Sequence, residues 1–161
     1  MIAIREYCPS DTEQVDRLME TATRELRAVY TPKSSDKIEQ REQSISSLKI
    51  VAEDNDGSIV GVAEFFVRSA DIYAQGIAVA ASHRRSGVAT ALLAHITALA
   101  NDLGVLQVQI KTIKETGNVE IFKHLGFEVI LENISARFVG LNEKPVTEIT
   151  MQRYLKNKAL E

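Results

Sequence analysis

The length and composition of the chain are those of one soluble globular domain. It has 161 residues, of which 45% are apolar and 25% charged, and its formal net charge is −3, so we expect a single domain over residues 1–161. The negative net charge argues against general binding to nucleic acid or to anionic membranes. No apolar run approaches the roughly 18 residues of a membrane span.

The N-terminus and the single cysteine are typical of a cytoplasmic protein. Residues 1–6 show no charged region followed by an apolar one, so no signal peptide is indicated. Cys8 is the only cysteine, which excludes an internal disulfide and a cysteine-based zinc site. No residue spacing suggests another metal site. We therefore expect a cytoplasmic protein without a bound metal.

The N-terminal third predicts one strand and two helices. Residues 2–7 alternate enough for an edge strand. Ser10 followed by Glu13 fits a capping box. Apolar residues then recur at three- and four-residue spacing, which predicts a helix that ends near residues 31–32. A weaker apolar spacing predicts a second helix over residues 36–48.

The middle of the chain predicts three strands in sequence order. Residues 48–53 and 59–67 are strand-like, and the Asn-Asp-Gly at 55–57 between them is a strong hairpin signal. Residues 72–80 predict the third strand. Strands that pair in sequence order run antiparallel, so we expect an antiparallel arrangement here.

The next segment predicts a crossover. Residues 88–103 have one apolar side and predict a helix, which Gly104 ends. Residues 105–113 alternate as a strand. A strand, a helix and a strand over residues 72–113 make a right-handed crossover with two parallel strands.

The last third predicts the end of the sheet. A short helix is expected over residues 118–125, followed by strands over residues 127–131 and 146–151. The predicted fold class is therefore α/β (α+β mixed sheet). Its central sheet is mixed and mostly antiparallel, with helices on both faces.

The turn from residue 79 to residue 90 carries the strongest functional signal. It leaves a strand and opens a helix, and the first N–H groups of a helix have no partner inside it. Anions bind at such positions. Gly87 lets the backbone approach a phosphate, and Arg84 and Arg85 can add charge-assisted bonds to its oxygens. The turn predicts a phosphate site, and the alternative is an ordinary solvated loop.

Two other phosphate motifs are absent from the chain. It has no Gly-Lys-Ser/Thr, which excludes a P-loop. It has no Gly-x-Gly-x-x-Gly, so a dinucleotide fingerprint is not supported. The predicted site depends instead on main-chain N–H groups and arginines.

The turn and its surroundings resemble one protein family. Arg84-x-x-Gly87-x-Ala89 looks like the Arg/Gln-x-x-Gly-x-Gly/Ala signature of the GCN5-related N-acetyltransferases, the GNAT superfamily. The Ile-Ala-Val at 77–79 resembles the family's strand end just before that signature, and residues 121–127 resemble its Tyr-x-x-Leu-Gly-Phe segment. The likeness extends from residue 2 to about residue 155 and implies a GNAT-like acyl-CoA N-acyltransferase fold.

The resemblance implies how coenzyme A is held. Main-chain groups of Ile77 and Val79 would pair with the pantetheine arm, where the strands over 72–80 and 105–113 part. The main-chain amides of residues 85–90 would hold the pyrophosphate, and the helix from Asn118 would lie against the end of the arm. The residues implied to bind the cofactor are Ile77, Val79, Arg84, Arg85, Ser86, Gly87, Val88, Ala89, Thr90, Asn118 and Phe122.

The resemblance also bears on the catalytic side chains. Many family members carry a Tyr at the position of Phe122, where it can protonate the leaving thiolate, and Phe122 has no such proton. The positions of the family's Glu or His base are Tyr73 and Gln75 here. Our catalytic candidates are Tyr73, as an acid or a water anchor, and then Glu64 on the neighbouring strand. The alternatives are an aromatic packed on the sheet and a solvated carboxylate.

The resemblance implies an acyl-CoA-dependent N-acyltransferase. A primary amine of a small molecule or peptide would attack the thioester of acetyl-CoA directly, while a main-chain N–H near Ile77 polarises the carbonyl. The alternative is a non-catalytic sensor or interaction module of the same fold. Residues 30–36 and 140–145 would shape the acceptor pocket, and a polycationic acceptor would need that pocket to be acidic. Nucleic acid and membrane are not expected as partners, and a homodimer is compatible with this size.

Overall fold

A computed structural model of the protein describes residues 1–33 and 47–155. The described strands are Ala3–Glu6 (β1), Tyr30–Pro32 (β2), Leu48–Glu53 (β3), Ile59–Val67 (β4), Ile72–Val79 (β5), Gln107–Ile113 (β6), Glu128–Gly140 (β7) and Pro145–Tyr154 (β8). The described helices are Thr12–Arg27 (α1), Val88–Leu103 (α2) and Asn118–His124 (α3).

The eight strands form one mixed sheet in the order β1-β3-β4-β5-β6-β8-β7-β2. All neighbouring strands run antiparallel except β5 and β6, which are parallel and joined by the crossover through α2. The predicted fold class and the predicted crossover are therefore confirmed.

Helices cover both faces of the sheet, as predicted. Five α2 side chains are essentially excluded from solvent and pack into the main core: Val88, Leu92, Leu93, Ile96 and Ala100. On the other face, α1 packs Val15 against a smaller cluster that includes Val62 and Ala78. The sequence pattern also placed Leu103 on the apolar side of α2, but at the end of the helix this residue is 50% exposed.

The beginning of α1 differs from the sequence prediction. A capping box is formed by Cys8 and Asp11, not by Ser10 and Glu13, and it caps a short 3-10 helix, Pro9–Asp11, that leads into α1. The Asp11 carboxylate accepts a bond from the Cys8 main-chain N–H at 2.9 Å. Arg5 donates two further bonds of 2.8 Å to that carboxylate. These bonds, first from Arg5 and then from Cys8, hold the pKa of Asp11 well below its ordinary value.

The end of α1 also differs. The helix ends at Arg27, and Tyr30–Pro32 is an edge strand paired with β7, whereas the sequence predicted that the helix continues to residues 31–32. A strand of three residues is too short to produce a recognisable period.

The hairpin turn, the end of α2 and the last two strands agree with their predictions or extend them. In the hairpin turn, Gly57 has φ 80° and its N–H donates to the Asp54 carbonyl. Gly104 ends α2 with φ 74°. The last two strands, β7 and β8, are each longer than predicted. The predicted helix over residues 36–48 lies outside the described residues, except that Leu48 begins β3.

Candidate active site

The sheet opens between β5 and β6. Only three residue pairs join these strands, and the last is Ala74 with Ile110. Beyond that point β5 continues along β4 and β6 continues along β8. The pairing of β4 with β5 shifts register between Glu64 and Phe65, so that Gln75 is the extra residue of a bulge. A bulge bends its strand, which explains why β5 leaves β6 here.

The free edge of β5 carries the main-chain groups of Ile77 and Val79. The Ala80 N–H donates to the Val60 carbonyl at 2.8 Å, so the groups of Ala80 and Ala78 face β4. In an antiparallel ladder the groups of alternate residues face opposite edges. Those of Ile77 and Val79 therefore face the gap between β5 and β6.

The amide turn, residues 84–90, follows a short 3-10 helix at the end of β5. Arg85 has φ 64° and Gly87 φ 87°, both in the left-handed region. The main-chain N–H groups of residues 85–90 have no hydrogen-bond acceptor among the described residues. A Cβ added at Gly87 would meet nothing within 4 Å. The turn thus presents unpaired N–H groups beside open space, which suits an anion.

A glycine on β4 lets the beginning of α2 pack closely on the sheet. A Cβ added to Gly61 would lie 2.7 Å from a methyl group of Val88, the first residue of the helix. A glycine at this position therefore lets the side chains of α2 pack directly onto the backbone of β4. Gly61 positions the amide turn although it does not belong to it, and the sequence analysis missed it because only the fold brings the two residues together.

The side chains of Arg84 and Ser86 in the amide turn contact other protein groups. Arg84 Nε donates to the Val79 carbonyl at 3.2 Å, and its Nη2 pairs with Glu25 of α1 at 2.9 Å. Ser86 Oγ donates to the His83 carbonyl. A cavity of about 280 Å³ lies beside Arg84, Val79 and α1. A phosphate bound by Arg84 would compete with Glu25 for its guanidinium.

A second cavity, here called the sheet cleft, has a volume of about 150 Å³. Five strands contribute its lining side chains, which are Tyr30, Tyr73, Gln75, Lys111, Thr112, Ile113, Arg137, Phe138 and Glu148. Because β5 and β6 both contribute, the cleft borders the gap between them. Tyr30 belongs to the region expected to shape the acceptor pocket, whereas no residue of 140–145 lines the cleft.

Glu148 is the one carboxylate of the sheet cleft, and its side chain is 11% exposed. It lies 3.7 Å from Lys111 Nζ and 3.6 Å from an Arg137 nitrogen, and it accepts a bond from Ser135 Oγ at 3.1 Å. Arg137 and Phe138 reach the cleft because the pairing of β7 with β8 breaks between Ile134 and Val139.

The two catalytic candidates are placed differently. Tyr73 lines the sheet cleft, and the guanidinium of Arg68 lies 4.9 Å from the centre of its ring. A hydrogen bond to Asp71 raises the pKa of Arg68, so this cation stays charged. Glu64 is not a lining residue, and its carboxylate lies 3.7 Å from Lys49 Nζ. The structure thus brings Tyr73, but not Glu64, to the cleft.

The short helix α3 lies near the end of β6. Asn118 is its first residue, and the Asn118 N–H donates to Thr116 Oγ1 at 3.2 Å. Phe122 packs against the main core, with its ring edge-on to Phe127 at 6.0 Å between centroids. Phe127 is buried.

Two kinds of feature are absent from the described residues. Within residues 1–33 and 47–155, no helix is long and apolar enough to cross a membrane. In the same part of the chain, no group of three or more His, Cys, Asp and Glu side chains could hold a metal ion.

A family model supplies the deciding comparison. The model of the acetyltransferase (GNAT) domain matches residues 46–129, just over half of the chain. The chain belongs to the GNAT acetyltransferase family. The matched segment includes the gap between β5 and β6, the amide turn and α3. The predicted family and the predicted enzyme class, an acetyltransferase, are therefore confirmed.

Solved structures share the whole fold, and two of those described next are named as GNAT acetyltransferases. The smu.2055 protein of Streptococcus mutans UA159 is 26% identical, with a TM-score of 0.73 over 96% of this chain and 99% of its own. A GCN5-related N-acetyltransferase from Kribbella flavida is 24% identical, with a TM-score of 0.71 over 96% and 98%. A phosphinothricin acetyltransferase from Sinorhizobium meliloti, in complex with AcCoA, is 19% identical, with a TM-score of 0.70 over 99% and 91%. No curated protein matches the sequence.

Proposed function

We propose that this GNAT acetyltransferase moves an acetyl group from acetyl-CoA to a primary amine of a small molecule or peptide. The observation that carries the proposal is the amide turn, where six consecutive N–H groups, residues 85–90, have no acceptor among the described residues. Free main-chain donors at the beginning of a helix are suited to a pyrophosphate. They lie at the end of β5, the strand whose free edge borders the gap.

The donor site would combine the amide turn with the gap between β5 and β6. The N–H groups of residues 85–90 would hold the pyrophosphate, and the main-chain groups of Ile77 and Val79 would pair with the pantetheine arm as an added strand does. Asn118 and Phe122 would lie against the end of that arm. Bound acetyl-CoA supplies a thioester, whose carbonyl carbon is the electrophile.

The transfer needs two bond changes and one proton transfer. A bond forms between the amine nitrogen and the acetyl carbon, the bond from that carbon to sulfur breaks, and the thiolate leaves. The Ile77 N–H would stabilise the charge that develops on the carbonyl oxygen. The amine proton passes to water, which the Tyr73 hydroxyl would anchor, because a neutral phenol is a poor proton acceptor.

The acceptor would enter through the sheet cleft. Tyr73 and Gln75 of β5 and Lys111 of β6 line the cleft, and these strands border the gap on its two sides. An amine in the cleft would therefore face a thioester held in the gap. The single domain, the cytoplasmic location and the homodimer stay predictions.

Two measurements on the full chain test this proposal. Acetyl-CoA at a hundred times its Kd should add about 2.7 kcal/mol to the free energy of unfolding, which a thermal-shift titration detects. Release of free thiol from acetyl-CoA, measured with a panel of amines, should depend on both the protein and an amine. Binding without thiol release would support the non-catalytic alternative, and no binding would overturn the donor site.

A further inference from the structure

The guanidinium of Arg68 lies over the ring of Tyr73 and is fixed by three hydrogen bonds. Its Nε and Nη2 donate to the two oxygens of the Asp71 carboxylate at 2.6 Å and 2.8 Å. The same Nη2 donates to Gln109 Oε1 at 3.0 Å. Two parallel bonds to one carboxylate fix the plane of a guanidinium, so Arg68 has a defined orientation although its side chain is 38% exposed.

The contacts of Arg68 cross the sheet from β4 to β6. Phe66 of β4, Tyr73 of β5 and Gln109 of β6 are direct cross-strand partners and form one row. Arg68 directly follows β4, and its guanidinium reaches Gln109, so it spans the width of β5 beside Tyr73. Gln109 in turn donates to Gln152 of β8 at 3.4 Å, which holds this end of the row.

The ring of Tyr73 contacts this row. The Arg68 guanidinium lies 4.9 Å from the ring centre, inside the roughly 6 Å of a cation–π contact. The ring of Phe66 lies 6.4 Å away and is tilted by 43°. A tyrosine hydroxyl is at the end of a long side chain, so a change of rotamer would carry it to a different part of the cleft. A fixed cation beside the ring therefore stabilises the rotamer that the structure shows.

Tyr73 lies at the closed end of the gap. The next residue, Ala74, pairs with Ile110 in the last joined pair of β5 and β6. Tyr73 also lines the sheet cleft, through which the acceptor would enter. A catalytic group at this junction depends on its direction, because a displacement of about 1 Å can cost about 100-fold in rate.

We propose that Arg68 is a positioning residue for the transfer, which holds the Tyr73 hydroxyl toward the acceptor amine, and that Asp71 and Gln109 act through Arg68. The proposal rests on the acetyl transfer and on the role of Tyr73 proposed above. Arg68 precedes the beginning of β5, whereas the amide turn follows its end. Arg68 therefore affects the rate of transfer and not the binding of coenzyme A.

The test variant removes Arg68 together with the charge of its partner. Loss of Arg68 alone would leave the Asp71 carboxylate, whose side chain is 10% exposed, without this ion pair. A buried unpaired charge destabilises a fold, so the variant is Arg68→Met with Asp71→Asn. Gln109→Leu is a milder variant, which keeps the ion pair and removes only the bond to Gln109.

The readout is kcat for thiol release from acetyl-CoA by the full chain. The acceptor is the fastest amine in a panel of ethylamine, ethanolamine, histamine, serine and glycylglycine. The Arg68→Met, Asp71→Asn variant should lower kcat about 5- to 10-fold, with the Kd for acetyl-CoA unchanged. Gln109→Leu should lower kcat about two- to threefold, since one hydrogen bond is lost.

The same changes in the Tyr73→Phe background show whether Arg68 acts through Tyr73. A residue that acts through a hydroxyl has no further effect once that hydroxyl is gone. Both changes should therefore lower kcat less than about twofold in this background. A merely structural role would give the same loss in both backgrounds.

Arg5→Met with Asp11→Asn is the matched control. Arg5 also donates two bonds to a buried carboxylate, both of 2.8 Å, but it lies in β1, which β3 and β4 separate from β5. Because Arg5 pairs with Glu53 as well, this variant should lose at least as much free energy of unfolding, measured by thermal melts. It should keep kcat.

The outcomes separate this proposal from the one beneath it. Equal losses of kcat with and without the Tyr73 hydroxyl overturn the positioning role and leave the acetyl transfer standing. An unchanged kcat in the Arg68→Met, Asp71→Asn variant, an equal loss in the Arg5 control, or a weaker Kd for acetyl-CoA in the test variant overturns it as well. No thiol release by the wild type with any amine of the panel would overturn both proposals.

Discussion

The amide turn and the sheet cleft are built in opposite ways. The turn consists of consecutive residues, and its useful groups are main-chain N–H groups that depend little on side-chain identity. The cleft draws side chains from five strands, between residue 30 and residue 148. A site made of backbone can keep one ligand while the sequence changes. A site made of dispersed side chains can change its ligand through a few substitutions.

This comparison predicts a separation of effects. Changes in the amide turn should alter the affinity for acetyl-CoA without altering the choice of acceptor. Changes in the sheet cleft should alter the acceptor kinetics without altering that affinity. A variant that moved both quantities together would show that the two sites are coupled through the gap.

The largest expected effect is that of Gly87→Glu. It places a carboxylate against a diphosphate, and two like charges 4 Å apart repel by about 4 kcal/mol at a protein surface. We expect the affinity for acetyl-CoA, measured by calorimetry, to fall at least about 100-fold. The fold should persist, because a Cβ at this position meets nothing within 4 Å.

Gly104→Glu is the matched control for this change. Gly104 also has positive φ and open space around it, but it lies at the opposite end of α2. Both variants should lose a similar free energy of unfolding, roughly 1–2 kcal/mol for the left-handed backbone. If Gly104→Glu weakened acetyl-CoA binding as much, the effect would come from α2 as a whole and not from the amide turn.

Tyr73→Phe is expected to have the next largest effect. It removes the hydroxyl but keeps the ring against Arg68 and Phe66, whose distances from the ring centre are 4.9 Å and 6.4 Å. We expect kcat to fall about 10- to 100-fold, with the Kd for acetyl-CoA unchanged. Tyr30→Phe, in the same cleft, should keep kcat. Equal losses in both variants would indicate a packing role for Tyr73.

Substitutions in the ion pair of Arg84 and Glu25 should have smaller effects on the affinity for acetyl-CoA, in opposite directions. Arg84→Ala should weaken acetyl-CoA binding about tenfold, because a charge-assisted bond to phosphate is lost. Glu25→Gln should strengthen binding by up to about fivefold, since it frees Arg84 from an exposed ion pair of 0.2–1 kcal/mol. The double variant should match Arg84→Ala in a calorimetric titration. Any gain from Glu25→Gln that persists without Arg84 would argue against this competition.

Phe122→Tyr is expected to have the smallest effect. A phenol there can protonate the leaving thiolate, but a thiol of pKa near 8.5 already leaves readily. We expect kcat to rise by no more than about threefold, and the Kd for acetyl-CoA to stay unchanged. Steady-state rates at saturating acetyl-CoA measure this. A rise of a hundredfold would mean that thiolate protonation limits the wild type.

The sequence could predict the donor half of the site because its signals are local. Gly87 and its neighbours are consecutive, and the strand, turn and helix around them each have a clear period. The crossover from β5 to β6 follows from a general rule of handedness. The gap between these strands came from the family resemblance, and its structural cause, the extra residue Gln75, is invisible in the alternation of residues 72–80.

The sequence could not predict the acceptor half because its residues meet only in the folded chain. Glu148 alternates with apolar residues in its strand, a pattern that usually marks a solvated face. However, β8 lies between β6 and β7, so its polar side chains become buried. Arg137 reaches the cleft through a break in β7 that no period reveals. Gly61 likewise acquires its role only when α2 packs on β4.

The bulge at Gln75 determines which side chains of β5 face the sheet cleft and which of its backbone groups face the gap. Before it, Ile72 and Ala74 point to the main core, and after it Ile77 and Val79 do, so the strand changes phase by one residue. A deletion of one residue here would let β5 stay in step with β6 as far as the end of both strands. The two strands would then pair along their whole length. The fold would persist, but it would have no gap to hold a thioester.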